Sequence, residues 1–489
     1  MTARMASSKR SAGSPTTPRS GAHSRKGAPA APSNGAPCPL QPSWSNSFAR
    51  PARLPRHDGF LNIDLPMYEG EPKGGFRVTP KSSAQTSGRT TMKRKIKSTA
   101  IVALSLIVIS PALAQQDKLA PEVMDRIPKA QIFNNRMASP TNLPDVGFVW
   151  GAKTPLRSSS VVDSFYYPNQ RDLNRTHTAD WYKANQPSWI TYQCDRQTPS
   201  YGYTYAWGAY APLDTSNPDV RQYLLKTYIE PALAKGYRAI AFDNVALPNT
   251  DKRCGVWHDG KWVQLFSGQS RDPAYTAQKL DYIGWFAKEI HQRGGQIALN
   301  AKVDPYQPAQ TKALIDLADI WVDEGGFSDS CNHRVVDNIW HLKRDLIQSR
   351  GNRAFVSINY TCMTSPTPPD NAELSWIVAS FLVNRNNRSY LAVLSHKDSG
   401  RWVAYPNLDP PVGAPSEASQ LRGTLAWRNY QKGYVIVNFS GSESTTVQPP
   451  PGNWHDMFGQ SISGSIELKP RSGLVLLRTQ EYIHGWKHS

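Results

Sequence analysis

Residues 236–245 of this chain read GYRAIAFDNV, and this stretch decides the fold. Gly236 ends a helical segment, residues 238–243 form a short apolar strand, and the strand closes on Asp243. The same unit recurs downstream, because apolar strands and amphipathic helical segments alternate as far as residue 394. This alternation predicts an α/β fold of parallel βα units, and its repetition indicates a (β/α)8 TIM-like barrel. An open doubly wound sheet is the alternative.

Hydrophobic periods and glycine or proline stops bound the elements of this repeating region. The predicted strands after the opening one cover residues 297–301, 320–324, 354–359 and 390–394. The predicted helices cover residues 217–235, 273–293, 308–317, 332–350 and 371–384.

Upstream of residue 217 the pattern is less regular. Residues 189–194, WITYQC, form the first clear strand. Residues 146–150 and 161–167 also predict strands, but the stretch between them is too short for a crossover helix. We therefore expect one of the two to be an extra strand or a cap, and residues 203–213 to supply another barrel strand.

After about residue 400 the long helical periods give way to short β-like runs between turns rich in Gly, Ser and Pro. The runs lie at residues 425–427, 434–439, 463–468 and 474–478. They predict a small, β-sandwich-like antiparallel domain over residues 401–480, following a barrel over residues 115–400.

The first 114 residues fall into two parts of different character. Residues 1–91 are rich in Ser, Pro, Gly, Ala and Arg without an apolar period, which predicts a disordered extension. Residues 92–114 have a basic start, a short apolar centre and an Ala-Leu-Ala end, the pattern of a secretory signal peptide. Either Met92 is the true start and residues 1–91 are an overlong translation, or the basic tail is real and the apolar run fortuitous.

We expect the first alternative, and with it a secreted or periplasmic protein. The apolar run is about half of the roughly 20 residues that a spanning helix needs, so no stable membrane insertion is expected after signal cleavage.

The positive charge of the chain is concentrated in this N-terminal part. The formal net charge is +18, yet residues 1–114 hold 17 of the 56 Lys and Arg and 4 of the 38 Asp and Glu. The remainder is therefore close to neutral, which argues against a nucleic-acid partner. The chain as a whole has 39% hydrophobic and 10% aromatic residues, enough to bury a substantial core. The oligomeric state stays open.

Cysteine usage agrees with export, since the four cysteines after the leader form no C-x-x-C pair. Four cysteines allow three pairings, and four free buried thiols are the alternative. We expect Cys194 to pair with Cys254 and Cys331 with Cys362, because each pair then ties together two loops that follow neighbouring strands.

Polar side chains, which are unusual in buried strands, occur at the ends of four predicted strands. In a (β/α)8 barrel these ends meet around one pocket. Asp243 and Glu324 lie on strands separated by one other strand, so we expect them to face a shared cavity as the catalytic pair. Asp323 is the competing candidate for the second position. The polar residues expected to hold substrate hydroxyl groups are Asp195, Asn244, Asn300 and Lys302.

A β-hairpin is predicted in the loop after Asp243. Residues 256–263 read VWHDGKWV, and the Asp259-Gly260 turn pairs Trp257 with Trp262 on one face. The two indole rings either form a stacking wall for a sugar ring or only hold the hairpin together.

The quoted segments carry a family resemblance. WITYQCD, LDTSNPDVRQY, GYRAIAFDNV, RCGVW and IWVDEGGF resemble the glycoside hydrolase-like family called hypothetical glycosyl hydrolase family 15, a relative of polygalactosaminidase-type barrels. The resemblance covers about residues 145–395. It implies a carbohydrate-cleaving barrel in which Asp243 and Glu324 match the paired acidic positions.

These observations predict a secreted glycoside hydrolase that cleaves a polysaccharide or oligosaccharide with a carboxylate pair. The sequence has no phosphate-binding glycine loop and no G-x-S-x-G elbow, so nucleotide chemistry and serine hydrolysis have no support. No cofactor is expected. No metal is expected either, since Cys331 and His333 lack further ligands at sensible spacing. A non-catalytic glycan-binding barrel protein is the alternative from another class, and a cell-surface structural protein is a third.

Overall fold

The structure is a computed structural model that describes residues 125–132, 145–202, 204, 208–330, 333–362, 369–395 and 407–479. The predicted extension over residues 1–91 and the predicted signal peptide over residues 92–114 lie outside the described residues. In the parts that are described, no helix is both long and apolar enough to cross a membrane.

Eight parallel strands form a closed barrel in the order β1-β12-β11-β8-β7-β4-β3-β2. β12 pairs with β1 through Leu391 and Lys129, which closes the barrel. The predicted TIM-like barrel is therefore confirmed and the open sheet is excluded. The barrel strands are β1 (Lys129–Ile132), β2 (Val146–Trp150), β3 (Val162–Pro168), β4 (Ala239–Asp243), β7 (Gln296–Asn300), β8 (Ile320–Glu324), β11 (Ala354–Thr361) and β12 (Ser389–Ser395).

β2 and β3 are both barrel strands, so the expectation that one is an extra strand or a cap is wrong. They pair in parallel, with Phe148 beside Val162. Residues 151–161 connect them without a helix. Eleven extended residues reach up to about 36 Å, whereas the return along a five-residue strand needs only about 17 Å, so a helix is not required.

Two other upstream expectations are also wrong. Residues 189–194 do not form a barrel strand. Trp189 is the last residue of a short 3-10 helix, Pro187–Trp189, and the residues after it form only single bridges, such as Ile190 with Leu213 and Tyr192 with Gly255. The described part of residues 203–213 likewise contributes only bridges. The strand that fills the vacant barrel position is β1, which the sequence analysis did not find.

Helices surround the barrel and begin at recognisable caps. Asn217, Asp272 and Asp370 each accept a backbone N–H in the first turn of the helix that follows. The helices are α1 (Ala179–Asn185), α2 (Pro218–Leu224), which continues through a π turn (Leu225–Ile229) into α3 (Glu230–Lys235), α4 (Pro273–Gln292), α5 (Pro308–Asp316), α6 (Asp337–Ser349) and α7 (Asn371–Asn384).

The barrel strands alternate between an inner and an outer face, as the two-residue period of a strand requires. On β4, Ala239 and Ala241 face the interior, whereas Ile240 and Phe242 belong to the outer core against the helices. β7 and β8 keep the same phase. One further step of the inner phase therefore falls on the last residue of each of these strands, namely Asp243, Asn300 and Glu324.

Two short hairpins follow barrel strands. The one after β4 is formed by β5 (Gly255–His258) and β6 (Lys261–Gln264), and the one after β8 by β9 (Ser328–Ser330) and β10 (His333–Arg334). A disulfide joins Cys194 to Cys254, which confirms the first predicted pairing. Cys362 is also disulfide-bonded. Its predicted partner Cys331 lies outside the described residues, so that pairing stays a prediction.

The C-terminal part is an antiparallel β structure, as predicted. Its main sheet has six strands in the order β13-β14-β15-β20-β17-β18, and β16 pairs separately with β19. The strands are β13 (Gln420–Arg422), β14 (Leu425–Asn429), β15 (Gly433–Asn438), β16 (Thr445–Val447), β17 (Trp454–Asp456), β18 (Ser461–Ile462), β19 (Ile466–Leu468) and β20 (Ser472–Arg478).

This C-terminal sheet packs directly on the barrel helices. Phe439 stacks on Trp340 of α6 with 4.3 Å between ring centroids. Gly473 of β20 lies so close to α7 that a Cβ added there would come within 2.7 Å of the Cβ of Ala379. The sheet and the barrel helices therefore share one apolar core.

Candidate active site

The two predicted catalytic carboxylates lie side by side at the C-terminal ends of β4 and β8. Asn300 ends β7, the strand between them. Its Nδ2 donates to Oδ1 of Asp243 at 2.8 Å and to Oε2 of Glu324 at 2.7 Å. Because both oxygens bond the same nitrogen, their separation cannot exceed the sum of these distances, 5.5 Å. The structure therefore brings Asp243, Glu324 and the predicted substrate-binding residue Asn300 into one site.

Further donors hold each carboxylate in place. Tyr166 donates its hydroxyl to Oδ2 of Asp243 at 2.7 Å, and the Asn244 side chain donates to the same oxygen at 2.9 Å. Tyr360 donates to Oε1 of Glu324 at 2.8 Å. Asp243 thus accepts three hydrogen bonds and Glu324 accepts two. Such donors favour the ionised form of a carboxyl group, and Asp243 receives more of them.

Burial shifts both carboxyl groups upward. It raises the pKa of Asp243, which is only 2% exposed, while hydrogen bonds from Tyr166 and Asn300 and the charge of Arg171 oppose the rise. Burial also raises the pKa of Glu324, and the negative charge of Asp243 raises it further. Two carboxylates this close resist double ionisation, so the pair favours an ionised Asp243 beside a protonated Glu324.

Asp323, the competing candidate, points away from the pair. Its neighbours Val322 and Glu324 take the inner face of β8, so Asp323 takes the outer one. There it accepts a hydrogen bond from Nζ of Lys343 on α6 at 2.6 Å. Asp323 is therefore the buried partner of a lysine, and Glu324 is the residue that meets Asp243.

The other two polar residues predicted to bind substrate, Lys302 and Asp195, lie in different environments. Lys302 follows β7, lines a cavity together with Glu324, and its charge lowers the pKa of that carboxyl group. Asp195 is exposed and does not end a barrel strand, so the premise for choosing it is wrong. It accepts hydrogen bonds from the backbone of Gln197 and Thr198, and the Thr198 hydroxyl lowers its pKa.

The predicted β-hairpin is present, with Trp257 opposite Trp262. Their ring centroids are 5.7 Å apart in an edge-to-face arrangement. Trp257 donates to the carbonyl of Arg196 at 3.0 Å, and the Arg196 guanidinium lies 5.6 Å from the Trp262 ring centroid. The two rings thus have partners within the protein, and their role in stacking a sugar stays a prediction.

Sequence reasoning missed Tyr166 and Tyr360. Both stand in phase with inward residues of their strands, Tyr166 with Val162 on β3 and Tyr360 with Ile358 on β11. A tyrosine near the carboxyl end of a strand gives no signal of its own, because aromatic residues are common in strands. Tyr166 and Tyr360 are distinguished only by two structural features together: their side chains face the barrel interior, and each lies beside a carboxylate.

A cavity of about 440 Å³ opens beside Glu324. Lys302 and Glu324 form its wall at the barrel, and Arg471 of the C-terminal sheet forms part of its far wall. No group of three or more His, Cys, Asp or Glu suited to a metal ion occurs among the described residues. The carboxyl pair and its hydrogen-bond donors are groups at this site that can transfer protons and attack a substrate.

Comparison with known families relates the barrel part of the chain to a family of glycoside hydrolases. Residues 172–409, just under half of the chain, match the model of the glycoside-hydrolase family GH114, and the matched stretch contains Asp243, Asn300 and Glu324. The predicted likeness to glycoside hydrolases is thereby confirmed. The finer likeness to hypothetical glycosyl hydrolase family 15 and to polygalactosaminidase-type barrels stays a prediction. No curated protein matches the chain.

Among solved structures the chain is similar to several enzymes that act on carbohydrates. The type III pullulan hydrolase from Thermococcus kodakarensis is 11% identical, with 65% of this chain and 60% of that chain covered and a TM-score of 0.33. An α-amylase from Malbranchea cinnamomea is 11% identical, with 65% and 74% covered and a TM-score of 0.36. The chain thus spans less than two thirds of the pullulan hydrolase, and likenesses at this level carry no argument about activity.

Proposed function

We propose that this chain hydrolyses glycosidic bonds of a polysaccharide with Asp243 and Glu324 as its catalytic pair. The observation that carries the proposal is the shared hydrogen-bond donor Asn300, which keeps the nearest carboxyl oxygens within 5.5 Å of each other. Retaining glycosidases hold their two carboxyl groups about 5 to 5.5 Å apart, whereas inverting enzymes need about 6.5 to 9.5 Å. This upper limit for one oxygen of each group fits the closer spacing, and on that basis we propose double displacement with retention of configuration.

The environments of the two groups support different roles. Asp243 accepts three hydrogen bonds and acts as the nucleophile, forming a bond to the anomeric carbon. Glu324 has its pKa raised by burial and by the charge of Asp243, so it keeps a proton for the leaving oxygen. In the second step the Glu324 carboxylate takes a proton from water as that water attacks the anomeric carbon, which releases Asp243 and restores both groups.

A screen of the chain from residue 115 onward against bacterial and plant polysaccharides tests the proposal, with released reducing ends as the readout. Asp243→Asn and Glu324→Gln should each lower the rate by about 10³-fold while leaving affinity within a few fold. Asp259→Asn, at the exposed tip of the hairpin, is the matched control and should keep the wild-type rate. Early products followed by NMR should retain their anomeric configuration.

Two results would contradict this function. An Asp243→Asn variant as active as wild type removes the catalytic pair from the mechanism. Tight glycan binding without any released reducing ends supports the alternative of a non-catalytic glycan-binding barrel.

We further propose that the protein is exported through residues 92–114. The basic start, apolar centre and Ala-Leu-Ala end of this segment support export. N-terminal sequencing of the exported protein should give a chain that begins near Gln115, whereas a mature chain that still carries residues 1–91 contradicts the proposal.

A further inference from the structure

The chain turns sharply at the end of β8, and Glu324 lies within this turn. The backbone N–H of Gly326 donates to the carbonyl of Asp323 at 3.1 Å, so Glu324 and Gly325 are the two central residues of a four-residue turn. Gly325 has a φ of 123°, in the left-handed region that favours glycine. Two consecutive glycines allow many backbone conformations, so contacts with neighbouring elements decide the conformation of this turn.

The side chain of Lys343, on α6, holds both ends of the turn. Its Nζ donates to Oδ2 of Asp323 at 2.6 Å and to the carbonyl of Gly326 at 2.5 Å. The Lys343 and Asp323 side chains are only 6% and 1% exposed, so water competes little for these hydrogen bonds. Because the two acceptors flank Glu324 in the chain, one ammonium group fixes the backbone on both sides of that residue.

Strand β11 supports the same turn from the barrel wall. The backbone N–H of Gly325 donates to the carbonyl of Ile358 at 3.0 Å. A Cβ added at Gly326 would come within 2.5 Å of Oγ of Ser357 and 2.6 Å of Oδ1 of Asn359, so the turn lies directly on β11. The turn is therefore held between β11 and α6, and Lys343 supplies the side-chain contact with α6.

The position of the Glu324 carboxyl group depends on this backbone. Its two oxygens accept from Asn300 at 2.7 Å and from Tyr360 at 2.8 Å. These donors belong to β7 and β11, so a shift of the Glu324 backbone relative to both strands lengthens at least one of the two bonds. A proton donor has to lie within hydrogen-bond reach of the leaving oxygen, and a misplacement of about 1 Å can lower the rate about 10²-fold.

We propose that Lys343 is a positioning residue for Glu324. By binding the Asp323 carboxyl group and the Gly326 carbonyl together, it keeps the Glu324 carboxyl group in contact with Asn300 and in place to protonate the leaving oxygen. Lys343 acts through the backbone of the turn. The inference deepens the proposed function and rests on it. The alternative is that Lys343 serves only as the buried charge partner of Asp323.

Crystal structures of two variants test the positioning without any measurement of activity. The variants are Lys343→Met and the double variant Asp323→Asn, Lys343→Met. The double variant leaves no buried carboxyl group without its lysine, so it should fold even where Lys343→Met does not, and circular dichroism checks this. In the folded variants the distance between Asn300 Nδ2 and Glu324 Oε2 should increase beyond about 3.5 Å. A double variant that keeps both hydrogen bonds of Glu324 supports the charge-partner alternative and overturns the proposal.

Kinetics on two aryl glycosides test whether the displaced group is the proton donor. The probes are the phenyl and 2,4-dinitrophenyl glycosides of the oligosaccharide that the polysaccharide screen releases. Dinitrophenolate leaves without a proton, whereas phenolate needs one. Both variants should therefore lower kcat/KM about 10- to 100-fold for the phenyl glycoside and less than about threefold for the dinitrophenyl glycoside. An equal loss on both probes indicates a general structural effect and overturns the proposal.

Arg350→Met is the matched control. Arg350 is also buried, and its guanidinium donates to the carbonyls of Ala318 at 3.0 Å and Ala354 at 3.2 Å, at the opposite ends of β8 and β11. Its replacement should lower the free energy of unfolding but keep the contacts of Glu324 and the wild-type ratio of kcat/KM for the two glycosides. A change of this ratio as large as that in Lys343→Met would trace the effect to lost stability and overturn the proposal.

Failure of this inference is distinguishable from failure of the proposed function. Hydrolysis that Lys343→Met leaves at the wild-type rate keeps the function and removes the positioning role. Displacement of Glu324 in the variants of a protein that hydrolyses no glycan supports the positioning of this carboxyl group and removes the hydrolytic function.

Discussion

Each carboxyl group of the pair accepts a hydrogen bond from a different tyrosine. Tyr166 donates to Asp243, and Tyr360 donates to Glu324. The hydrogen bond from Tyr166 lowers the pKa of Asp243, and that from Tyr360 lowers the pKa of Glu324. The two phenols therefore act as separate controls on the two groups. Their removal offers a way to assign the roles without touching either carboxylate.

Replacing each tyrosine by phenylalanine should move opposite limbs of the pH profile of kcat/KM. Tyr166→Phe should raise the pKa of Asp243 and shift the acidic limb to higher pH, because Asp243 must be ionised to attack. Tyr360→Phe should raise the pKa of Glu324 and shift the basic limb to higher pH, because Glu324 must be protonated. Shifts of about half a unit or more are expected. Movement of the same limb in both variants contradicts the assignment.

The raised pKa of Glu324 also makes the stability of the folded protein depend on pH. Its pKa is raised in the folded protein, so its contribution to stability is fully present at low pH and is lost as the pH rises through the raised value. Glu324→Gln does not titrate at this position. The free energy of unfolding of the Glu324→Gln variant should exceed that of wild type by about 1 kcal/mol at pH 8. This difference should vanish below about pH 4.

Urea unfolding at several pH values measures this difference. Asp259→Asn, which removes one negative charge at an exposed turn position, is the control variant. A constant difference between Glu324→Gln and wild type across pH contradicts a raised pKa for Glu324.

At the scale of elements, a single buried carboxylate explains the π turn after α2. Asp172 is fully buried and accepts hydroxyl hydrogen bonds from Tyr182, Tyr223 and Tyr228. Tyr223 and Tyr228 are five residues apart, and the wider turn at Leu225–Ile229 brings both to the same carboxylate. A regular α-helix would rotate these two residues apart, so the tyrosine cluster accounts for the irregularity.

The disulfide between Cys194 and Cys254 fastens the segment before α2 to the hairpin loop after β4. It closes a loop of 60 residues, for which the chain-entropy account gives about 4 kcal/mol of stabilisation. A Cys194→Ser, Cys254→Ala double variant should therefore lose up to this amount in urea unfolding without reductant. A loss below about 1 kcal/mol would contradict this chain-entropy account.

Across the whole molecule, the barrel and the C-terminal sheet behave as one packed body, because the ring of Phe439 stacks on Trp340 and β20 lies against α7. Phe439→Ala should cost about 3 to 5 kcal/mol and destabilise the barrel as well as the sheet. Tryptophan fluorescence and circular dichroism should report one common urea transition in both wild type and variant. Phe439→Leu, which keeps most of the volume, should cost less, and two separate transitions contradict the shared core.

The sequence by itself determined the barrel class, the antiparallel C-terminal part and the carboxylates at the ends of two strands. These features follow from local patterns in the sequence. Hydrophobic periods of two residues indicate strands, helical periods indicate helices, turn residues bound both, and polar residues at the ends of apolar strands indicate a site.

Only the tertiary structure decided which groups meet. It separated Glu324 from Asp323, placed Asn300 between the carboxylates, added Tyr166 and Tyr360, and moved residues 189–194 out of the barrel. It also joined Arg334 to Arg471, which are far apart in the chain. The reason is that strand register and barrel closure are long-range properties, set by how the strands pair around the ring, and no local pattern carries that information.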